Sequence, residues 1–117
     1  MKTIIHVDNS EFFRKLMKGF FMEKGFIGTC FSHGEEALKV INQGNVSVVI
    51  TGLALSDMDG KEFIKRICAS SYTGPIIVLT SNNAKEERQA LSYPKIQACI
   101  SKSEAWQEKL LPYLING

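Results

Sequence analysis

The chain has 117 residues, of which 44% are hydrophobic and 22% charged, and its formal net charge at pH 7 is +2. This length is typical of one folded domain with its own hydrophobic core, so we expect residues 1–117 to form a single domain. The small net charge does not indicate a nucleic-acid or membrane surface, and no apolar run is long enough to cross a bilayer. The first residues also lack the long apolar core of a signal peptide.

Five segments rich in β-branched residues alternate with five segments of helical character. The first half of the chain predicts a strand over residues 3–7, a helix over 10–24, a strand over 26–31, a helix within 32–44 and a strand over 46–51. The second half predicts a helix over 61–69, a strand over 75–80, a short polar helix over 84–92, a strand over 98–101 and a helix over 103–111. Because Pro112 has no N–H to donate, we expect it to end or kink the last helix.

The first helix is unusually rich in phenylalanine. Ser10 suits its start, and Gly25 suits a left-handed residue at its end. Two neighbouring apolar rows, spaced by four residues, predict a wide buried face with one or two phenylalanines left exposed for contacts. These rows consist of Phe12, Leu16 and Phe20, and of Phe13, Met17 and Phe21.

Apolar strands separated by helices indicate a parallel sheet covered on both faces. We therefore predict an α/β fold, a doubly wound (βα)5 flavodoxin-like sandwich with a five-stranded parallel sheet. In such sheets a site lies at the carboxyl ends of the strands, near the reversal in strand order. The polar or small residues at those ends are Asp8, Asn9, Thr51, Gly52, Thr80, Ser81 and Lys102.

Cysteine and histidine give no indication of a metal site. Cys30, Cys68 and Cys99 are far apart, no CxxC or Cys/His pair has metal-ligand spacing, and His6 and His33 stand alone. We interpret the cysteines as reduced thiols in the packed interior of a cytoplasmic protein.

Five motifs, in order, resemble the receiver domain of bacterial two-component response regulators, and the likeness runs from Met1 to about Leu114. They are "VDNS" followed by Arg14, "GEEALKVI", "VVITGLALSDMDGKEFIKRI", "IIVLTS" and "CISKS". The resemblance implies that two acids after the first strand and an Asp at the end of the third hold Mg²⁺. It also implies that this Asp takes a phosphoryl group from a histidine kinase, while a Thr or Ser and a Lys hold the phosphoryl oxygens.

Carried over by position, the resemblance gives an incomplete site. Asp8 matches the first acid, but the second acid is Asn9 and the phosphoacceptor position is Gly52. Thr80 and Lys102 match the switch hydroxyl and the lysine. The aromatic switch position, three residues before that lysine, is Cys99.

These departures change the expected chemistry. Glycine offers no oxygen for an acyl phosphate, so Gly52 cannot be an acceptor. Mg²⁺ is typically held by one or two carboxylates together with phosphate oxygens and water, so Asp8 beside a neutral Asn9 is a residual acid and we expect no metal or other cofactor. We instead expect Lys102 to pair with Asp8 and Thr80 to cap a helix, with no enzymatic activity.

The sequence is accordingly interpreted as a pseudo-receiver, a phosphorylation-independent module that acts through protein–protein interaction in a bacterial two-component or related regulatory pathway. The resemblance places partner specificity on the fourth helix, fifth strand and fifth helix, residues 84–114, where Arg88 and Trp106 are candidate contacts. The partner is a protein, with no nucleic acid or membrane bound by this domain. The last two helices also offer a homodimer surface.

Two other functions stay open at this point. Asp57 or Asp59 is a candidate relocated phosphoacceptor with Mg²⁺, although both residues also suit the turn into the third helix, where an acid is favoured at the N-terminus. Alternatively, a small-ligand sensor uses the gap at Gly52 as a pocket. Trp106 likewise has a second interpretation, in which it docks the last helix on the core.

Overall fold

A computed structural model describes residues 3–116, which form five strands and five helices in strict alternation. The strands are β1 (Thr3–Val7), β2 (Ile27–Phe31), β3 (Val48–Thr51), β4 (Ile76–Thr80) and β5 (Ile96–Ser101). The helices are α1 (Glu11–Lys24), α2 (Gly34–Asn42), α3 (Gly60–Cys68), α4 (Ala84–Ala90) and α5 (Trp106–Asn116). None of the described helices is long and apolar enough to cross a membrane.

The strands form one parallel sheet in the order β2-β1-β3-β4-β5. The predicted doubly wound α/β sandwich is therefore confirmed. The strand order reverses between β1 and β3, which are hydrogen-bonded neighbours. Asp8 follows β1 and Gly52 follows β3, so these two positions meet at the reversal, where such folds place their sites.

Successive strand residues face opposite sides of the sheet, and their side chains pack into two separate hydrophobic cores. The core under α1 and α5 includes Ile4, Val48, Ile50, Ile77 and Leu79, and the core under α2 and α3 includes Ile5, Val7, Val49, Ile76 and Val78. All ten of these side chains are fully buried. Because apolar side chains pack on both faces of the sheet, the strand ends hold their polar residues in fixed positions.

Helix α1 begins and ends as its sequence predicts, but its buried face is narrower. The Ser10 hydroxyl accepts a hydrogen bond from the Phe13 N–H at 3.1 Å, and Gly25 closes the helix at φ 73°. Only one full apolar row is buried, with Phe20 added to it. Phe12 is 73% exposed and Leu16 is 41% exposed, so two of the three residues in the predicted row of Phe12, Leu16 and Phe20 face solvent.

The carboxyl-terminal third departs most from the predicted boundaries. Helix α4 stops at Ala90 because Leu91 turns to extended backbone and inserts into the core, 2% exposed. Strand β5 starts at Ile96, two residues early, because the Lys95 carbonyl accepts the Ile76 N–H at 2.9 Å. Helix α5 does not end at Pro112; it continues to Asn116, with Leu110 and Leu114 fully buried on either side of the proline.

Candidate functional site

Asp8 lies at the centre of the candidate site and is nearly fully buried. Its carboxylate Oδ1 accepts a hydrogen bond from the Ser10 N–H at 3.0 Å, which also fixes the start of α1. Its Oδ2 lies 2.6 Å from the Lys102 ammonium nitrogen. The side chains of Asp8 and Lys102 are 2% and 19% exposed. The ion pair predicted from the sequence is present.

Lys102 is positioned by the end of β5. Its N–H donates to the Thr80 carbonyl at 2.8 Å, so the backbone of the two strand ends is joined here. The ammonium also lies 4.5 Å from the centroid of the Phe13 ring, a cation–π distance. Asp8 Oδ2 has no hydrogen bond of good direction among the described residues, so Lys102 is the group that compensates its charge.

The space beside Gly52 is filled by Asp8. Gly52 is buried, and its N–H donates to the Val7 carbonyl at 2.8 Å, which holds it against the end of β1. A Cβ added at Gly52 lies 2.9 Å from Asp8 Oδ2 and 3.0 Å from Asp8 Cγ. Glycine therefore lets the Asp8 carboxylate turn across the end of β3 towards Lys102. The position is closed in the sense that a side chain at residue 52 would have to displace the Asp8 carboxylate.

Thr80 has a local role that differs from the predicted helix cap. Its buried hydroxyl accepts a hydrogen bond from the Asn82 N–H at 3.0 Å, two residues along the chain. The cap of α4 is Asn83, whose side chain accepts the Glu86 N–H at 3.0 Å. A small cavity of about 190 Å³ lies beside Thr80 and Lys102.

Neither Asn9 nor Cys99 takes part in the ion pair. Asn9 is exposed, and its N–H donates to the Ala54 carbonyl at 3.1 Å, which joins the loop after β1 to the loop after β3. Cys99 is half-buried against the core under α2 and α3, where burial raises the pKa of its thiol. All three cysteines are half-buried free thiols.

Asp57 and Asp59 both cap helices. The Asp57 carboxylate accepts hydrogen bonds from the N–H groups of Gly34, at 2.7 Å, and Glu35, at 3.0 Å, at the start of α2. Partial desolvation raises the pKa of Asp57, but these hydrogen bonds from Glu35 and Gly34 outweigh it and hold the pKa below its ordinary value. Asp59 caps α3 by accepting the Glu62 N–H at 2.8 Å. Each acid thus stabilises a helix N-terminus.

The loop that carries Gly52 closes on Gly60, the first residue of α3. The Gly60 N–H donates to the Leu53 carbonyl at 2.9 Å. A Cβ at Gly60 lies 2.5 Å from the Gly52 carbonyl oxygen and 2.6 Å from Leu53 Cα. Both contacts are with backbone, which cannot rotate away as a side chain can. The site's geometry therefore depends on the absence of a side chain at Gly60.

Replacing Gly60 with alanine is expected to lower the free energy of unfolding by about 2 kcal/mol, the usual cost of overpacking. Gly19→Ala is the matched control, because a Cβ there meets nothing within 4 Å and α1 gains about 0.5–1 kcal/mol of helix propensity. Urea unfolding of both variants measures the difference. Equal stabilities would contradict the close packing of α3 on the Gly52 loop.

The proposed partner contacts differ in exposure. Trp106 is 6% exposed and lies with its ring centroid 4.9 Å from that of Phe13 and 5.6 Å from that of Phe20. It docks α5 on α1, so its interpretation as a partner contact is wrong. Arg88 is exposed, but its guanidinium donates to the Leu91 and Ile96 carbonyls, both at 3.1 Å.

His6 is a buried residue whose surroundings the sequence did not indicate. Its ring is fully buried two residues before Asp8, and neither ring nitrogen has a hydrogen-bond partner among the described residues. Burial lowers the pKa of His6 to about 4, partly opposed by the Asp8 charge. The nearest aromatic ring, Phe13, has its centroid 5.9 Å away. In the sequence, the only indication that His6 is buried is its position within an apolar strand.

The donor set does not suit a divalent cation. The described residues contain no group of three or more His, Cys, Asp or Glu side chains placed to hold a metal. At the strand ends the available acid is Asp8, and its charge is already compensated by Lys102. A magnesium ion here would have to displace that ammonium and would gain one carboxylate.

Comparison with known proteins agrees with the motifs. The family model described as the response regulator receiver domain matches residues 4–113. The chain is 27% identical over 99 residues to the sensor histidine kinase RcsC of Escherichia coli (strain K12), covering 85% of this chain and 10% of the kinase. It is 29% identical over 83 residues to the two-component response regulator ORR5 of Oryza sativa subsp. japonica, covering 68% of this chain and 62% of that protein. The chain therefore spans about a tenth of the length of RcsC.

Solved structures share the fold over nearly the whole chain. The receiver domain of the Francisella response regulator 1452 superposes with a TM-score of 0.86 at 21% identity, covering 98% of this chain and 95% of that one. The chemotaxis response regulator CheY4 of Vibrio cholerae superposes with a TM-score of 0.79 at 25% identity, covering 99% and 98%.

Proposed function

The chain belongs to the response regulator receiver domain family, and from that premise we propose that it is a pseudo-receiver that signals without phosphorylation at the usual position. Receiver domains serve two-component signalling, and the alignments with a sensor histidine kinase and with response regulators support that setting. The proposed activity is protein–protein interaction in a bacterial, cytoplasmic pathway, without catalysis and without Mg²⁺.

The observation that carries the proposal is the contact between Gly52 and Asp8. The acceptor position has no side-chain oxygen, and a Cβ there would lie only 2.9 Å from the Asp8 carboxylate. That carboxylate faces Lys102 at 2.6 Å, so the lysine already has an anionic partner. An internal ion pair thus takes up the charge that a phosphoryl group would otherwise supply.

The ion pair between Asp8 and Lys102 bears on how the domain signals. A ligand shifts a conformational equilibrium only by binding two states differently, and no phosphoryl group arrives here to do so. We propose that one conformation dominates and that partner binding is constitutive. The proposed partner surface is formed by α4, β5 and α5, about residues 84–114, with Arg88 as a candidate contact. A homodimer through α4 and α5 belongs to the same proposal.

The two other functions receive less support. Both candidate relocated acceptors already accept backbone hydrogen bonds at helix N-termini, so phosphorylation of Asp57 or Asp59 would release a cap from α2 or α3. A sensor that uses a gap at Gly52 requires space that Asp8 occupies.

Exposure to acetyl phosphate with Mg²⁺, followed by intact-protein mass spectrometry, tests the proposal. We expect no Mg²⁺-dependent addition of a phosphoryl group to the wild type. If one phosphoryl group is added and the Asp57→Asn or Asp59→Asn variant abolishes it, the relocated-acceptor function replaces the pseudo-receiver. A matched control is Glu108→Gln, which removes an exposed acid on α5 and leaves both caps in place.

An NMR titration with Mg²⁺ and beryllofluoride, a mimic of the acyl phosphate, examines the site itself. We expect the wild-type resonances of Asp8, Thr80 and Lys102 to stay unchanged. In Gly52→Asp the new Cβ displaces the Asp8 carboxylate, so a response there requires Asp8 to turn away from Lys102. Changes at these residues in the wild type would contradict the closed site.

A further inference from the structure

The sheet has an uncovered edge at β2. This strand is at one end of the strand order and, among residues 3–116, pairs with β1 alone. The Phe31 carbonyl accepts the Asp8 N–H at 3.0 Å, so Phe31 faces β1 with both of its backbone groups. Because the backbone groups of successive residues in a strand alternate in direction, those of Gly28 and Cys30 point away from the sheet. They are free to pair with another strand.

A basic groove runs beside this edge, between β2 and α1. It has a volume of about 340 Å³ and is lined on the strand side by Gly28, Thr29 and Cys30. The helix side contributes three cations and one acid, which give the groove a net charge of +2. They are Arg14, Lys15, Lys18 and Glu11.

The cations differ in how much of their charge is already compensated. Lys15 pairs with Glu11 at 3.5 Å, with both side chains about three-quarters exposed. Arg14 donates to the Asp8 carbonyl at 2.7 Å, which is a neutral acceptor. Lys18 forms no ion pair with the described residues. The groove thus retains two positive charges without an anionic partner.

Gly28 explains how close α1 lies to the strand. A Cβ at this position would collide with the Phe21 ring of α1, so the glycine allows the helix to approach. The helical cations are thereby held beside the free backbone groups. Burial raises the pKa of the Cys30 thiol to about 11, and the nearby charges of Lys18 and Arg14 act against that rise. Both cations are therefore close to the strand.

We propose that the outer edge of β2 and the basic groove beside it form a docking site for an acidic, extended segment of a partner protein, which adds to the sheet as a sixth strand. Strand addition supplies main-chain hydrogen bonds, and side chains along the added strand give specificity. Carboxylates on that strand pair with Lys18 and Arg14, the two cations of the groove without an anionic partner. The site is separate from the proposed α4–β5–α5 surface and does not depend on the phosphorylation state.

Charge and backbone pairing favour an acidic polypeptide over a second copy of the chain and over a nucleic acid. A second copy pairing through its own β2 would bring two basic grooves together, which like charges oppose. A nucleic acid satisfies the cations but cannot pair with the alternating N–H and C=O groups of Gly28 and Cys30. An acidic polypeptide satisfies both sets of groups.

Fluorescence anisotropy with a short labelled peptide of alternating Glu and Val tests the proposal. We expect binding by this peptide and not by the corresponding Lys and Val peptide. Replacing the two cations without an anionic partner, in Arg14→Gln/Lys18→Gln, is expected to weaken binding by about tenfold. The control Lys61→Gln removes an exposed cation from α3 and is expected to leave the affinity unchanged.

Backbone pairing is tested separately from charge. The Gly28 and Cys30 amides are expected to gain protection from hydrogen exchange when the peptide binds. A peptide N-methylated at alternate residues keeps its charge but cannot pair, and it is expected to lose binding. Equal binding of the methylated peptide, or equal binding of a single-stranded oligonucleotide of matched charge, overturns the proposal. Neither outcome bears on phosphorylation, so the pseudo-receiver proposal is tested independently.

Discussion

Replacing Lys102 with methionine is expected to lower the free energy of unfolding by about 3 kcal/mol. The substitution keeps most of the apolar length of the side chain and removes its charge. It leaves the Asp8 carboxylate 2% exposed and without a cation, and breaking a buried ion pair from one side costs about 3–5 kcal/mol. We take the lower end of this range because Lys102 is 19% exposed and solvent therefore screens part of the interaction. Urea unfolding at pH 7 measures the change.

The reverse substitution provides the comparison. Asp8→Asn is expected to cost less, about 1 kcal/mol, because Lys102 can turn its ammonium towards water along its flexible stem. In the double variant Asp8→Asn/Lys102→Met no unpaired charge remains, so most of the loss is expected to be recovered. Additive losses in the double variant would show that the two side chains are not energetically coupled and would contradict the closed site.

Acidification is expected to destabilise the protein through His6, by about 2 kcal/mol between pH 7 and pH 5. The His6 ring stays neutral in the folded chain down to its pKa of about 4, whereas in the unfolded chain it takes up a proton near pH 6.5. The unfolded state therefore binds more protons between these pH values, and stability falls as the pH falls. The charged groups nearest the ring are Asp8, which favours protonation, and Lys102 and Arg14, which oppose it.

Two histidine variants separate this contribution from that of the carboxylates. His6→Leu is expected to remove most of the pH dependence between 7 and 5 and to stabilise the protein at pH 5, since no hydrogen bond of the ring is lost. His33→Gln replaces the other histidine, which is exposed, and serves as the control. The test is to measure the free energy of unfolding of the wild type and both variants between pH 7 and pH 5. An unchanged slope in His6→Leu would contradict burial of the neutral ring.

The strand and helix order was predictable because it rests on local signals. Apolar runs, the Ser10 cap and the left-handed Gly25 depend on residues a few positions apart, and the structure confirms them. The ion pair of Asp8 with Lys102 was also predictable, because both follow parallel strands and the carboxyl ends of such strands meet at one edge.

The errors in prediction occur where distant packing overrides a local rule. Pro112 lacks a donor, yet α5 continues because fully buried leucines hold both sides of it on the core. Trp106 looked like a surface anchor, but α1 presents the rings of Phe13 and Phe20 to cover it.

Similarly, Asp57 was expected to serve the turn into α3. Its carboxylate instead caps α2, a helix that begins 23 residues earlier in the chain.

By itself, the sequence determined the fold class and the absence of an acceptor oxygen at residue 52, because both follow from residue types and their spacing along the chain. Only the tertiary structure decided what fills that position. Asp8, Gly52 and Lys102 follow three different strands. The packing of the sheet sets the 2.6 Å between the Asp8 carboxylate and the Lys102 ammonium, and the 2.9 Å that a Cβ at Gly52 would leave to that carboxylate. The tertiary structure also decided that the edge of β2 is free and that His6 is buried, since burial and exposure depend on which elements become neighbours.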